Sequence, residues 1–122
     1  MGHTLRIIVA DDEPEIREHF QMLLRRLGHD VVAIVDNGAS LVSESARLSP
    51  DLVISDVRMP QLDGDLAVRE IWKTRPIPAI LISAYAPPEM ATPAVGQPRW
   101  SYLSKPVRRV DLEAAIREAL SP

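Results

Sequence analysis

Five side chains in this sequence are of types that can do phosphoryl or metal chemistry together: the adjacent acids Asp11 and Asp12, a further acid Asp56, the hydroxyl of Ser83 and the ammonium of Lys105. Each closes or follows a short apolar run. Three carboxylates gathered without compensation repel one another and raise one another's pKa, so they either keep protons or hold a cation. Magnesium suits such a set, because it takes hard oxygen ligands, accepts one or two direct carboxylates, and completes its shell with water and phosphate oxygens. Asp56 is then the candidate nucleophile. A carboxylate attacking phosphorus gives an acyl phosphate, and the equatorial oxygens of the moving phosphoryl group need positive charge and hydrogen-bond donors around them. Lys105 and Ser83 supply one of each. Lys105 is one of two lysines in a chain whose other basic residues are arginines, which fits a need for a compact point charge.

The elements that must position these groups alternate along the chain. The run Leu-Arg-Ile-Ile-Val-Ala at 5–10 reads as a buried strand that ends in Asp11-Asp12-Glu13-Pro14. Ile16, Phe20, Leu23, Leu24 and Leu27 recur at helical spacing over 14–27, with Asp12 and Glu15 able to cap the start and Gly28 placed to end it. Further strands are predicted at 31–35, 52–56, 79–83 and 102–104, and further helices at 39–48, 64–73 and 111–120. Such alternation argues for a parallel sheet covered by helices on both faces, since parallel neighbours need crossover connections. Folds of this kind carry their ligand sites at the carboxyl ends of the strands. The five chemistry-bearing residues all fall there.

Composition narrows the field from the other side. At 122 residues the chain fits one domain, residues 1–122 with a core at 4–120. Apolar residues make up 46% and charged residues 25%, which is ordinary globular usage and argues against disorder. A net charge of −3, with no basic run longer than two residues, gives no general attraction to nucleic acid or anionic lipid. Without cysteine there is no disulfide framework, thiol nucleophile or thiolate zinc site, and a cytoplasmic setting fits. No membrane span or export signal is visible. Each residue also has a plainer reading. Asp11-Asp12 alone would be a helix N-terminal signal, Asp56 a turn residue, and Tyr102 a half-buried strand aromatic. His19 and His29 lack a paired ligand pattern and read as solvated or cap-like. It is the combination at successive strand ends that favours a site.

The same residues carry a resemblance over essentially the whole chain. Asp11-Asp12 after Ile-Ile-Val-Ala, Asp56 within Leu-Val-Ile-Ser-Asp-Val-Arg-Met-Pro, the continuation Gln61-Leu62-Asp63-Gly64, Ser83-Ala84 and Tyr102-Leu103-Ser104-Lys105-Pro106 are similar to the motifs of receiver domains of two-component response regulators. The resemblance implies an α/β, flavodoxin-like (CheY-like) doubly wound sheet of five parallel strands in the order 2-1-3-4-5. It implies that Asp56 takes a phosphoryl group from the phosphohistidine of a sensor histidine kinase or phosphotransfer protein. Asp11, Asp12, Asp56 and the backbone carbonyl of Arg58 would hold Mg²⁺. Ser83 and Lys105 would contact the phosphoryl group, Ser83 and Tyr102 would form the switch that reshapes a partner-binding face, and Pro106 matches a proline that follows a cis bond. Arg58 and Tyr85, two residues beyond Asp56 and Ser83, stand where side chains influence the approach of water; both are bulky, so slow self-dephosphorylation is expected. The implied partners are the kinase side and either a downstream protein or an output domain of the same chain, with no direct nucleic-acid or membrane contact. Such a protein assists its own phosphorylation and is not a conventional enzyme.

The chain departs from that pattern between Ser83 and Lys105. Pro87, Pro88, Pro93 and Pro98 stand where a helix is expected, and an interior proline costs about 3 kcal/mol, so that helix is predicted to be shortened or missing. Trp100, at a position usually small, is read as a plug for the vacated volume, with an exposed anchor for a partner as the alternative. Three other functions compete for the same residues. A dehalogenase-type phosphatase needs a second aspartate two residues after the nucleophile, where Arg58 stands. Flavin or nucleotide binding needs a glycine-rich phosphate loop after the first strand, where the acid pair stands. An interaction module that works without phosphorylation is the alternative that the altered helix segment keeps open.

Overall fold

In a computed structural model, residues 4–85 and 99–120 are described. Five strands, β1 (Arg6–Ala10), β2 (Asp30–Val35), β3 (Leu52–Asp56), β4 (Ala79–Ser83) and β5 (Trp100–Ser104), pair in parallel in the order β2-β1-β3-β4-β5. Four helices, α1 (Pro14–Arg26), α2 (Gly38–Leu48), α3 (Gly64–Trp72) and α4 (Arg109–Leu120), lie among them. The sheet order and the doubly wound α/β class agree with the expectation from the sequence.

Strand periodicity decides which face each apolar side chain covers. Ile7 and Val9 of β1, Leu52 and Ile54 of β3, and Ile80 and Ile82 of β4 join Phe20, Leu24, Leu112 and Ile116 on the side of α1 and α4. The alternate residues Ile8, Val53, Ala79 and Leu81 join Leu41, Val68 and Ile71 on the side of α2 and α3. Because both faces are covered, the central strands read as unbroken apolar runs. Each large side chain so buried contributes roughly 1.5–3 kcal/mol before the cost of ordering the chain.

The ends of the elements differ in detail from the sequence reading. The cap of α1 is Glu13, without a side-chain cap bond, and neither Asp12 nor Glu15 caps it; instead Asp11 Oδ1 accepts from the Glu13 amide at 2.9 Å. The buried carboxylate at the strand end has taken the loop amide. Gly28 does end α1, at φ +89, with its amide on the Arg25 carbonyl and that of His29 on Leu24. Asn37 caps α2 by accepting from Ser40 N at 2.8 Å. The last strand begins at Trp100, two residues earlier than expected, in register with Ala79. Trp100 is partly buried against the cluster on the α2–α3 side, while the helix whose volume it was expected to fill, the one expected to be disrupted by Pro87, Pro88, Pro93 and Pro98, lies outside the described residues. Among the described residues no helix is long and apolar enough to cross a membrane.

Candidate functional site

The register brings the strand ends to one edge. Ala10 pairs with Ser55, Asp56 with Ile82, and Ser83 with Ser104, so the residues that follow β1 and β5 flank the last residues of β3 and β4. Asp56 is 7% exposed and Asp11 1%, an unusual degree of burial for carboxylates. The backbone under Asp56 is tightly fitted: Val57 N donates to the Ile82 carbonyl at 2.9 Å, and Ser55 Oγ donates to the Asp56 carbonyl at 2.9 Å. Gly64 is required beside it, since a Cβ there would come within 2.0 Å of the Asp56 carbonyl oxygen.

Lys105 joins the acids. Its Nζ lies 3.2 Å from Asp56 Oδ2, 3.2 Å from Asp11 Oδ2 and 3.6 Å from Glu13 Oε1. Its amide donates to the Ser83 carbonyl at 2.9 Å, and the Lys105–Pro106 peptide is cis, as the resemblance implied. Burial raises the pKa of both Asp11 and Asp56; for Asp56 the negative charge of Asp11 adds to the rise, while Lys105 opposes it in both. Burial pulls the Lys105 value down, but the two carboxylates outweigh it and leave it raised. One ammonium thus compensates two buried acids only in part.

That residue of uncompensated charge fits a cation. Carboxylate oxygens of Asp11, Asp12, Glu13 and Asp56 lie within 4.8 Å of one another. Asp11 Oδ2 is buried and accepts no aligned hydrogen bond, although Lys105 is within ion-pair distance. An oxygen left in that state costs free energy unless another positive group approaches it. The donor set is all oxygen, as Mg²⁺ prefers.

The remaining expected residues form a second group. Ser83 ends β4, buried, with Oγ accepting from Tyr85 N at 3.0 Å. Tyr102 Oη donates to the Ser83 carbonyl at 3.3 Å and to the Tyr85 carbonyl. Arg58 places its guanidinium 5.3 Å from the centroid of the Tyr85 ring. The two bulky residues singled out separately therefore meet. Three further residues make contacts for which the sequence reading gave them no role. Glu13 enters the oxygen cluster; Arg17 donates from Nη1 to the Asp11 carbonyl at 2.9 Å; and Asp63 accepts from Met59 N at 3.3 Å. Adjacency to the acid pair was a signal for Glu13, and helical spacing from it was one for Arg17.

The family profile of the response regulator receiver domain matches residues 7–117. The transcriptional regulatory protein PdtaR of Mycobacterium tuberculosis is 34% identical over 116 residues, which cover 95% of this chain and 57% of that protein. The chain thus spans little more than half the length of that relative. Among solved structures, the signal receiver domain of the response regulator NarL from Mycobacterium tuberculosis is 30% identical with a TM-score of 0.80, covering 96% of each chain. The response regulator PhyR from Brucella abortus is 26% identical with a TM-score of 0.80, covering 97% of this chain and 48% of that one.

Proposed function

This chain belongs to the response regulator receiver domain family, and on that premise we propose that Asp56 accepts a phosphoryl group from the phosphohistidine of a sensor kinase or phosphotransfer protein. The observation that carries the reading is the convergence of Asp56, Asp11 and Lys105 within ion-pair distance at the carboxyl edge of the sheet. Receiver domains bind magnesium at an acidic pocket; here Asp11, Asp12, Asp56 and the Arg58 carbonyl are the groups that would hold it. When bound, the ion supplies positive charge to the phosphoryl oxygens.

A carboxylate oxygen of Asp56 attacks phosphorus while the phosphorus–nitrogen bond of the donor breaks, and the electron pair leaves on the imidazole nitrogen. The departing imidazole nitrogen takes up one proton from solvent, so the products are an acyl phosphate on Asp56 and neutral histidine on the donor. Lys105, released from sharing Asp56, pairs with the transferred group, and the Ser83 hydroxyl leaves the Tyr85 amide to donate to it. Tyr102, hydrogen-bonded to the backbone on both sides of Ala84, relays that change to the outer face of β5. The relatives named as transcriptional regulators are longer, so the switched face acts on an output domain of the same chain or on a separate protein. The reaction is stoichiometric, and the cysteine-free composition fits the cytoplasm.

Incubation with Mg²⁺ and acetyl phosphate, followed by intact mass measurement, tests this. One added phosphoryl group is expected, absent without metal and absent in Asp56→Asn. A folded chain that stays unmodified under those conditions would point instead to an interaction module that works without phosphorylation.

A further inference from the structure

The segment 57–64 that joins β3 to α3 is tied across itself at three places. Gly64 N donates to the Val57 carbonyl at 2.7 Å. Leu62 N donates to the Pro60 carbonyl at 2.7 Å around Gln61, whose φ of +68 gives the strained form of a γ-turn. Met59 N donates to Asp63 Oδ1 at 3.3 Å. The third tie is the unexpected one. Asp63 stands at the N-cap of α3, where an aspartate ordinarily accepts from the first-turn amides and contributes about 1 kcal/mol. It makes no such bond. Its carboxylate serves an amide four residues earlier, outside the helix.

That amide belongs to the same peptide unit as the Arg58 carbonyl. A trans peptide is a rigid plate whose N–H and C=O point in opposite directions, so holding one end sets the other. The Met59 side chain, 8% exposed and packed in the α2–α3 cluster, anchors the plate from a further corner. The carbonyls of Val57 and Pro60 both accept hydrogen bonds within the segment, whereas that of Arg58 accepts none among the described residues. We propose that Asp63 is a positioning residue for magnesium: by holding the Met59 amide it aims the Arg58 carbonyl at the acidic cluster as a neutral oxygen ligand. A neutral ligand matters here because the cluster already crowds carboxylates whose mutual repulsion raises the cost of a further charged one. The inference rests on the magnesium reading above and adds to it the residue that orients one ligand.

Calorimetric titration of the unphosphorylated full chain with Mg²⁺ separates the possibilities. Asp63→Ala is expected to weaken binding by about 10-fold, the usual scale for losing a group that orients a metal ligand. Asp63→Asn keeps an acceptor oxygen without the charge and is expected to stay closer to the wild type than to the alanine variant. Equal affinity in Asp63→Ala and wild type overturns the proposal and leaves the proposed function standing. Equal loss in both variants also overturns it, because charge alone would then account for the effect. A wild type that takes up no Mg²⁺ removes the underlying reading, and this one with it. Independently of any variant, the Met59 amide proton of the metal-free wild type should show the shallow temperature dependence of a hydrogen-bonded amide in NMR spectra; a steep, solvent-like dependence overturns the proposal.

Discussion

At the scale of single residues, Arg58 and Tyr85 act as one object. The guanidinium lies over the ring of Tyr85, itself 68% exposed, and an exposed cation–π contact is worth about 0.5–1 kcal/mol. If water must displace that contact to reach phosphorus in line, truncating either partner should speed loss of phosphate by ~2- to 5-fold. The double variant Arg58→Ala with Tyr85→Ala should be little faster than either single one, because the contact can be lost only once. Rates of phosphate release from the three variants, with acetyl phosphate removed, measure this. Multiplicative single effects would mean that the two side chains obstruct water separately. The sequence placed both residues two positions beyond a key group, but only the folded chain shows them in contact.

Secondary-structure elements carry a titration of their own. His29, between α1 and β2, accepts from Leu5 N through Nδ1 at 3.1 Å and so ties the entry of β1 to the end of α1. Burial lowers its pKa below the ordinary 6.5, and a protonated Nδ1 cannot accept. The unfolded chain therefore binds a proton at higher pH than the folded one, and stability is present above pH 6.5 and falls as pH drops below it. Asn at this position offers an oxygen in place of Nδ1 without a titration. His29→Asn is expected to lose less stability than wild type in urea unfolding between pH 7 and pH 5; parallel losses would clear His29. The sequence reading of this histidine as solvated or cap-like contained no hint of the tie, since a side chain reaching a backbone amide 24 positions away leaves no periodic trace. Asp63 was hidden for a related reason: Asp-Gly before an apolar helix looks like a cap in any sequence, and its diversion to Met59 depends on the turn at Gln61. What was legible followed from period. Apolar runs of β1, β3 and β4 ended at polar residues, so the sheet edge and the convergence of Asp11, Asp56, Ser83 and Lys105 on it could be read directly. The start of β5 could not, because Trp100 and Ser101 follow no apolar run and join the sheet only through pairing with Ala79 and Ile80.

For the whole molecule, the site is a stability deficit that a ligand can cancel. Asp11 and Asp56 have folded pKa values above the ordinary 3.8, so between the two values the native chain holds protons that the unfolded chain has released. Raising the pH through that interval lowers stability, and the deficit is complete only above it. Removing one charge should then help the fold while ending the phosphorylation proposed for Asp56, a trade common at functional sites. Metal-free Asp56→Asn is expected to melt a few degrees above wild type at pH 7, with the difference shrinking as pH falls toward 4 and the wild-type carboxylate takes up its proton. Mg²⁺ acts on the same deficit by binding only the native state. At 100 times its dissociation constant it adds about 2.7 kcal/mol, which for a chain of this size raises the melting midpoint by roughly 10 °C. The variant, with one carboxylate fewer, should respond much less. Scanning calorimetry of both proteins, with and without Mg²⁺ at two pH values, decides the matter. Should metal-free Asp56→Asn melt below wild type at pH 7, the Lys105–Asp56 contact would outweigh the cost of burying the acid, and the carboxylate would be holding the fold together in the absence of any cation.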